Sequence, residues 1–190
     1  KLTSFKTLIF SLPVWYLRFI FFNLRRVFMN KSFIIKIIVL CLLTIKAYSI
    51  EKIVLFGDSL MAGYGLPNEH HLSAVLQESL KLKGHNIEVI NGSVSGSTSS
   101  GGFNRAEWTL SEPNIDLIVL SLGANDMLRG IKPSETKNNL EKIIKIAQNK
   151  NIKVILAGMI APTSYGIKYK NNFDKIFLDL SKKYELEFIP

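Results

Sequence analysis

The chain has 190 residues, of which 47% are hydrophobic and 21% charged, a balance that excludes an intrinsically disordered protein and leaves room for one α/β domain with an additional segment. Its formal net charge is +9, but the first 49 residues hold eight basic residues and no acidic one. The remainder carries 16 basic and 15 acidic residues and therefore lacks the basic surface of a nucleic-acid-binding protein.

The first 49 residues have the pattern of a targeting segment and are left out of the predicted fold. Residues 1–28 are apolar and basic, and we interpret them as translation upstream of the true start. Residues 29–49 have the positive, apolar and small-residue regions of a signal peptide cleaved after Ser49, which predicts a periplasmic or secreted protein of bacterial type. A membrane anchor is the alternative, but the apolar run over 33–45 is short of the roughly 20 residues that span a bilayer, and Lys36 interrupts it.

From residue 50 to residue 190 the chain alternates short apolar runs with helical periodicity, which is typical of βαβ units and a parallel sheet. Five strands are predicted, at residues 52–56, 87–90, 117–122, 154–157 and 187–190. Helices are predicted at 72–83, with Leu72, Val75, Leu76 and Leu80 on one face, around Trp108, at 133–150, and at 173–184. Asn91 to Gly102 is predicted to be a polar loop.

The first of these strands leads directly to the main candidate for a catalytic residue. Its apolar run breaks at Gly57 and leaves Asp58 and Ser59 at the carboxyl end of the strand, where open α/β sheets place their ligands. Gly96 and Asn125 follow the second and third strands in the same way. Because the carboxyl ends of parallel strands share one edge of the sheet, we expect the three loops to form one crevice.

The residue types in this crevice are those that acyl chemistry needs. A serine in a tight turn can act as a nucleophile, and the developing oxyanion requires donors, here the backbone N–H groups of Ser59 and Gly96 and the side-chain amide of Asn125. Asp58 and Asp126 are interpreted as supports that hydrogen-bond nearby loop backbone and hold Ser59 and Asn125 in place.

Each feature also has a plainer explanation. A serine after a strand is more often a cap or turn former than a nucleophile, and Asn91 to Gly102 could be a flexible linker or a phosphate loop. A P-loop requires a lysine after its second glycine, but Gly96 and Gly101 are followed by Gly102 and Phe103. No Gly-x-Gly-x-x-Gly follows the first strand either. A nucleotide-binding fold is therefore not supported.

Three blocks occur in order along the chain: Gly57-Asp58-Ser59-Leu60, Asn91 to Ser99, and Leu122 to Gly130. Together they resemble the GDSL, or SGNH, hydrolases, and within them the arylesterase, thioesterase I and lysophospholipase L1 branch. The resemblance implies a three-layer α/β/α domain with a flavodoxin-like parallel sheet. It also implies that Ser59, Gly96 and Asn125 match the family's first three namesake residues and that carboxylic esters and thioesters are cleaved through a Ser59 acyl-enzyme.

The fourth namesake residue has no match. The family supplies a histidine, oriented by an aspartate three residues earlier, from a loop beyond the fifth strand, whereas this chain ends at Pro190. None of His70, His71 and His85 follows an acid at that offset, and we expect all three to be surface residues. We interpret the chain as a C-terminally truncated and inactive form of an esterase, with the last strand and the C-terminal helix incomplete. The alternative is a non-catalytic descendant that binds acyl or acetyl ligands.

The substrate is the least determined feature. Met127 and Leu128, next to Asn125, are suited to form an apolar lip for an acyl chain, although they could simply connect strand to helix. The resemblance favours small aryl or acyl esters and thioesters, with an acetylated carbohydrate as the alternative. No metal or organic cofactor is expected, and the single Cys41 precedes the domain. We expect a monomer that contacts the membrane only if its N-terminal segment remains uncleaved.

Overall fold

The computed structural model of the chain describes residues 50–190 together with residues 18–19, 22–23 and 35–36. The chain divides into two units, Lys1–Tyr48 and Ser49–Pro190. The six described residues of the first unit are helical, and none of the described helices is long and apolar enough to cross a bilayer. The segment predicted to be a signal peptide lies outside the described residues, apart from residues 35 and 36.

The second unit is built on a parallel five-stranded sheet. The strands are β1 (Lys52–Gly57), β2 (Glu88–Asn91), β3 (Leu117–Ser121), β4 (Lys153–Ala157) and β5 (Glu187–Ile189). Their order is β2-β1-β3-β4-β5, and every neighbouring pair is parallel. This is the flavodoxin-like order, in which the chain reverses direction across the sheet between β1 and β3. The predicted fold class is confirmed.

Six α-helices and two 3₁₀ turns connect the strands. The helices are α1 (Ser59–Ala62), α2 (Leu72–Leu82), α3 (Ser99–Thr109), α4 (Ala124–Leu128), α5 (Pro133–Asn149) and α6 (Ile167–Tyr184), and the 3₁₀ turns span Asn68–His70 and Thr163–Tyr165. Helices α2 and α5 match the predicted ones within one residue at each end, whereas α6 begins six residues before the predicted start at residue 173. The short helices α1 and α4, which carry Ser59 and Asn125, were not predicted.

The alternation of side chains along the strands separates two apolar layers. Val54 and Phe56 of β1 point into the larger core, which α3, α5 and α6 cover. Ile53 and Leu55 point to the opposite face, where the described chain contributes α2. A strand buried on both faces explains why the sequence of β1 is a continuous apolar run rather than an alternating one.

The prediction that residues 99–102 form a loop was wrong. Residues 99–102 are the first turn of α3, not a loop, because the Thr98 side chain caps the helix by accepting a hydrogen bond from the Gly101 N–H at 3.2 Å. On α2, only Leu76 and Leu80 pack on the sheet, whereas Leu72 and Val75 are 44% and 46% exposed. The helix is rotated so that only part of its apolar stripe faces the sheet.

Gly102 provides a test of how closely α3 packs. A Cβ atom at Gly102 would lie 2.2 Å from Cδ1 of Leu122, inside the main core. We expect Gly102→Ala to lower the free energy of unfolding in urea by about 1–3 kcal/mol, as overpacking does. Gly101→Ala, one residue earlier on the same turn, would meet only the Ser97 and Thr98 hydroxyls, at 3.2 and 3.7 Å. It should change stability by less than about 1 kcal/mol. Equal effects of the two substitutions would contradict this packing.

Candidate active site

The turn after β1 places Ser59 at the start of a helix. Gly57 ends the strand in a space with no room for a side chain, since a Cβ atom there would lie 2.5 Å from Cγ of Met61 and 2.8 Å from the Ser121 carbonyl oxygen. Asp58 is the N-cap of α1 and accepts a hydrogen bond from the Leu60 N–H at 3.1 Å. The Ser59 N–H takes no part in this cap, and the Ser59 side chain is partly exposed.

Asp58 is fully buried, and its second carboxylate oxygen, Oδ2, has no hydrogen-bond partner within the described part of the chain. Burial raises the pKa of the Asp58 carboxyl above its usual value, and the negative charge of Asp126 adds to the rise. The cap therefore stabilises the turn that carries Ser59, but it buries a carboxyl group of which only one oxygen accepts a hydrogen bond.

The loop after β2 is hydrogen-bonded to the end of β1. The Ser93 hydroxyl accepts from the Gly57 N–H at 3.0 Å and donates to the Leu55 carbonyl at 2.9 Å, and the Val94 N–H donates to the Gly57 carbonyl at 3.1 Å. Gly96 lies exposed two residues later, with φ of +76°, a conformation that glycine adopts without strain. These bonds fix the loop that carries Gly96 relative to the turn that carries Ser59.

Arg105 on α3 is also hydrogen-bonded to both the end of β1 and the loop after β2. Its guanidinium donates to the Gly92 carbonyl at 2.6 Å and to the Gly57 carbonyl at 3.0 Å, and it lies 3.8 Å from the centre of the Phe56 ring. Burial lowers the pKa of Arg105. No sequence pattern predicts this role, because an arginine whose hydrogen bonds go only to backbone carbonyls belongs to no motif.

The loop after β3 contributes Asn125 from the short helix α4. The Asn125 side-chain amide donates to the Ser97 carbonyl at 3.1 Å. A primary amide carries two N–H donors, so one remains for another acceptor. Asp126, the next residue, is fully buried and accepts from the Ser99 N–H at 2.7 Å and from the Thr136 hydroxyl at 3.1 Å, as well as from the Ser99 hydroxyl.

Hydrogen bonds therefore link the Ser59 turn to the Gly96 loop and the Gly96 loop to Asn125. β1 lies between β2 and β3 in the sheet, and Gly57 is in register with Ser121. The three loops therefore begin at the same edge of the sheet, the one formed by the carboxyl ends of the strands. Of the predicted lip, the Leu128 side chain is 68% exposed, whereas Met127 is partly buried against the main core.

The three histidines are not hydrogen-bonded to Ser59. The Nε2 atom of His71 lies 3.1 Å from the Leu66 carbonyl oxygen, and the ring packs where a Gly63 side chain would be. His70 and His85 are exposed. Among the described residues, no group of three or more metal-ligating side chains is placed to hold a metal ion.

Comparisons with known proteins agree on one family. Residues 55–190 match the GDSL-like lipase/acylhydrolase family. The chain is 35% identical to an arylesterase of Vibrio mimicus over 140 residues, 74% of this chain and 70% of that protein. It is 31% identical to a thioesterase 1/protease 1/lysophospholipase L1 of Escherichia coli over 151 residues, covering 80% and 71%. In structure it resembles AlinE4, an SGNH-hydrolase family esterase, with a TM-score of 0.71 and 39% identity over 76% of this chain and 77% of that one.

The pKa of Asp58 leads to a prediction about stability and pH. Because the folded-state pKa is raised, ionising Asp58 costs more in the folded than in the unfolded chain. The cost is absent below the unfolded pKa of about 3.9 and grows as pH rises above it. Asparagine caps a helix about as well as aspartate and carries no charge. The stability of Asp58→Asn relative to wild type should therefore increase between about pH 3.5 and pH 7 in urea unfolding. A constant difference would show that folding leaves the pKa of Asp58 unchanged, and a decreasing one that folding lowers it; either result would contradict the raised pKa.

Proposed function

The chain belongs to the GDSL-like lipase/acylhydrolase family of serine ester hydrolases, and we propose that it acts on esters and thioesters through a Ser59 acyl-enzyme. The observation that carries the proposal is the hydrogen-bonded connection of three neighbouring loops at one edge of the sheet. One loop carries Ser59, the second Gly96 and the third Asn125. Acyl transfer needs these groups together, a nucleophile and several donors for one oxygen.

In the proposed reaction the Ser59 hydroxyl oxygen attacks the carbonyl carbon of the ester and its proton passes to a base. The carbonyl oxygen becomes an oxyanion and accepts hydrogen bonds from the Ser59 and Gly96 N–H groups and from the free N–H of Asn125. When the tetrahedral intermediate collapses, the base returns the proton to the departing alcohol or thiol and leaves Ser59 acylated. Water then attacks the acyl carbon by the same sequence, which releases the acid and restores Ser59.

The base is the part of the reaction that the described residues do not supply at Ser59. His71 is bound to the Leu66 carbonyl, and neither His70 nor His85 has a hydrogen bond to Ser59. A serine hydroxyl without a positioned base is a weak nucleophile. We therefore propose that the 190-residue chain acylates slowly and that an added base accelerates it.

The names of the relatives and the exposed side chain of Leu128 both favour aryl and acyl esters and thioesters as substrates. An arylesterase and a thioesterase 1/lysophospholipase L1 are among the relatives, and we extend that class of aryl and acyl esters and thioesters to this chain. Leu128, three residues after Asn125, offers an exposed apolar surface to an acyl or aryl group.

One observation favours a second function, the binding of acyl ligands without cleavage. Among residues 50–190 the His71 ring is bonded to the Leu66 carbonyl and no histidine is hydrogen-bonded to Ser59, an arrangement that also fits a binding protein with the same crevice. Such a protein would retain the donors of Gly96 and Asn125 but would not form an acyl-enzyme.

Release of p-nitrophenol from p-nitrophenyl butyrate, with and without imidazole, tests both functions on the full chain. We expect a slow release that imidazole increases in wild type. Ser59→Ala should abolish the protein-dependent rate, and Asn125→Ala should reduce it by about 10²- to 10³-fold, as the loss of an oxyanion donor does. Ser59→Ala at the same imidazole concentration also corrects for direct attack by imidazole on the ester.

Ser134→Ala and Asn104→Ala, at exposed positions on α5 and α3, are matched controls that should retain the wild-type rate. A rate that survives Ser59→Ala would exclude the acyl-enzyme. Ester binding without any release, even with imidazole, would favour the binding function.

A further inference from the structure

Arg129 makes a contact that the proposed reaction does not yet use. It lies at the C-cap of α4, and its Nη2 atom donates to the Gly96 carbonyl at 3.1 Å. The side chain is exposed and forms no ion pair within residues 50–190. Its only side-chain hydrogen bond in that range therefore goes to the loop that carries a proposed oxyanion donor.

The positions of Asn125 and Arg129 on α4 allow both side chains to reach the same loop. The two residues are four positions apart, so their side chains lie on the same side of one helical turn. Asn125 donates to the Ser97 carbonyl and Arg129 to the carbonyl of the residue before it, Gly96. α4 therefore holds two consecutive peptide groups of the Gly96 loop with two side chains.

Gly96 has few other contacts that could hold it. A Cβ atom at this position would have nothing within 4 Å, so no packing surface surrounds it. Hydrogen bonds fix the loop on either side, from the Val94 N–H to Gly57 and from the Ser97 N–H to Val94. With positive φ and no side chain, Gly96 can rotate its peptide groups more freely than other residues can. The guanidinium of Arg129 holds the Gly96 carbonyl, which shares a peptide group with the Ser97 N–H, whereas the Gly96 N–H belongs to the peptide group before it. Arg129 therefore restrains the rotation about Gly96 through its carbonyl and acts on the N–H through the Gly96 Cα atom.

We propose that Arg129 is a positioning residue that orients the Gly96 N–H toward the oxyanion, an inference that rests on the proposed function of the site. Donors stabilise a transition state most when their orientation is fixed before the reaction. An interaction that improves this orientation acts on the transition state more than on substrate binding, so it raises kcat and leaves KM nearly unchanged. The planar guanidinium also holds a fixed direction better than the flexible ammonium of lysine.

A different role for an exposed arginine at this edge would be to bind an anionic group of the substrate. In that role the loss of Arg129 would raise KM for negatively charged esters alone and would leave kcat, neutral esters and the Gly96 loop unaffected. The two roles therefore differ in which constant changes, in which substrates are affected and in the mobility of Gly96.

The first measurement needs no catalysis: ¹⁵N relaxation of the Gly96 amide in the full chain. We expect Arg129→Ala to lower the Gly96 order parameter from a rigid value of about 0.85 toward about 0.6 or less, and Arg129→Lys to restore part of it. Lys132→Ala, which removes an exposed cation three residues away, is the matched control and should leave Gly96 unchanged. An unchanged Gly96 order parameter in Arg129→Ala would overturn the proposal.

The second measurement is the Ser59-dependent hydrolysis of a neutral aryl ester and of an anionic analogue. Arg129→Ala should lower kcat by about tenfold for both esters, less than the loss of a donor itself, with KM nearly unchanged. A rise in KM for the anionic ester with unchanged kcat would establish the anion-binding role instead. If no Ser59-dependent hydrolysis occurs at all, the proposed function fails and with it the role of Arg129 in catalysis, whereas the relaxation result still decides whether Arg129 restrains Gly96.

Discussion

The peptide groups of Gly57 hydrogen-bond the end of β1 to the loop after β2 and to α3, next to the end of β3. The Gly57 N–H donates to the Ser93 hydroxyl, and its carbonyl accepts from the Val94 N–H and from Arg105. Gly57 is also in register with Ser121 at the end of β3. No other residue fits there, because a Cβ atom would overlap both Met61 and the Ser121 carbonyl. The position of the loop after β2 relative to the Ser59 turn, beside the end of β3, therefore depends on one glycine that has no space for a side chain.

Two buried carboxylates next to the site residues are stabilised to different degrees. Asp126 accepts three hydrogen bonds from Ser99 and Thr136, which hold α3 and α5 against α4. Asp58 accepts one, from the Leu60 N–H, and leaves an oxygen without a partner among the described residues. Burial of a carboxylate is costly unless hydrogen bonds replace its hydration. The Asp126 carboxylate next to Asn125 is therefore well stabilised by hydrogen bonds, whereas ionisation of the Asp58 carboxyl next to Ser59 is unfavourable.

The sequence predicts the sheet and the long helices well, because their signals are local. The continuous apolar run of β1 and the i, i+3, i+4, i+7 pattern of α5 follow from which faces are buried. The start of α3 was missed because two glycines and two serines suggest a loop, whereas the Thr98 cap and the space beside Leu122 favour a helix. The exposure of Leu72 and Val75 depends on how α2 is rotated on the sheet, which periodicity does not determine.

Within the site, the residues that carry motifs could be identified from the sequence, whereas the residues that hold the loops together could not. Arg105 and Arg129 donate hydrogen bonds to backbone carbonyls that are distant in the sequence. The separations are 13 and 48 residues for Arg105 and 33 residues for Arg129. Such contacts depend on the path of the chain in three dimensions and leave no periodic or compositional signal. The connection of Asn125 to Ser97 is of the same kind.

The most direct test of convergence at the site is a crystal structure of the chain after reaction with an alkyl phosphonate that mimics the tetrahedral intermediate. The expected result is a covalent bond from phosphorus to the Ser59 Oγ, with one phosphonyl oxygen about 2.7–3.1 Å from the Ser59 N, the Gly96 N and the Asn125 Nδ2 atoms. A phosphonyl oxygen that faces solvent, or an adduct on a residue other than Ser59, would contradict the proposed convergence of the three groups on one carbonyl oxygen.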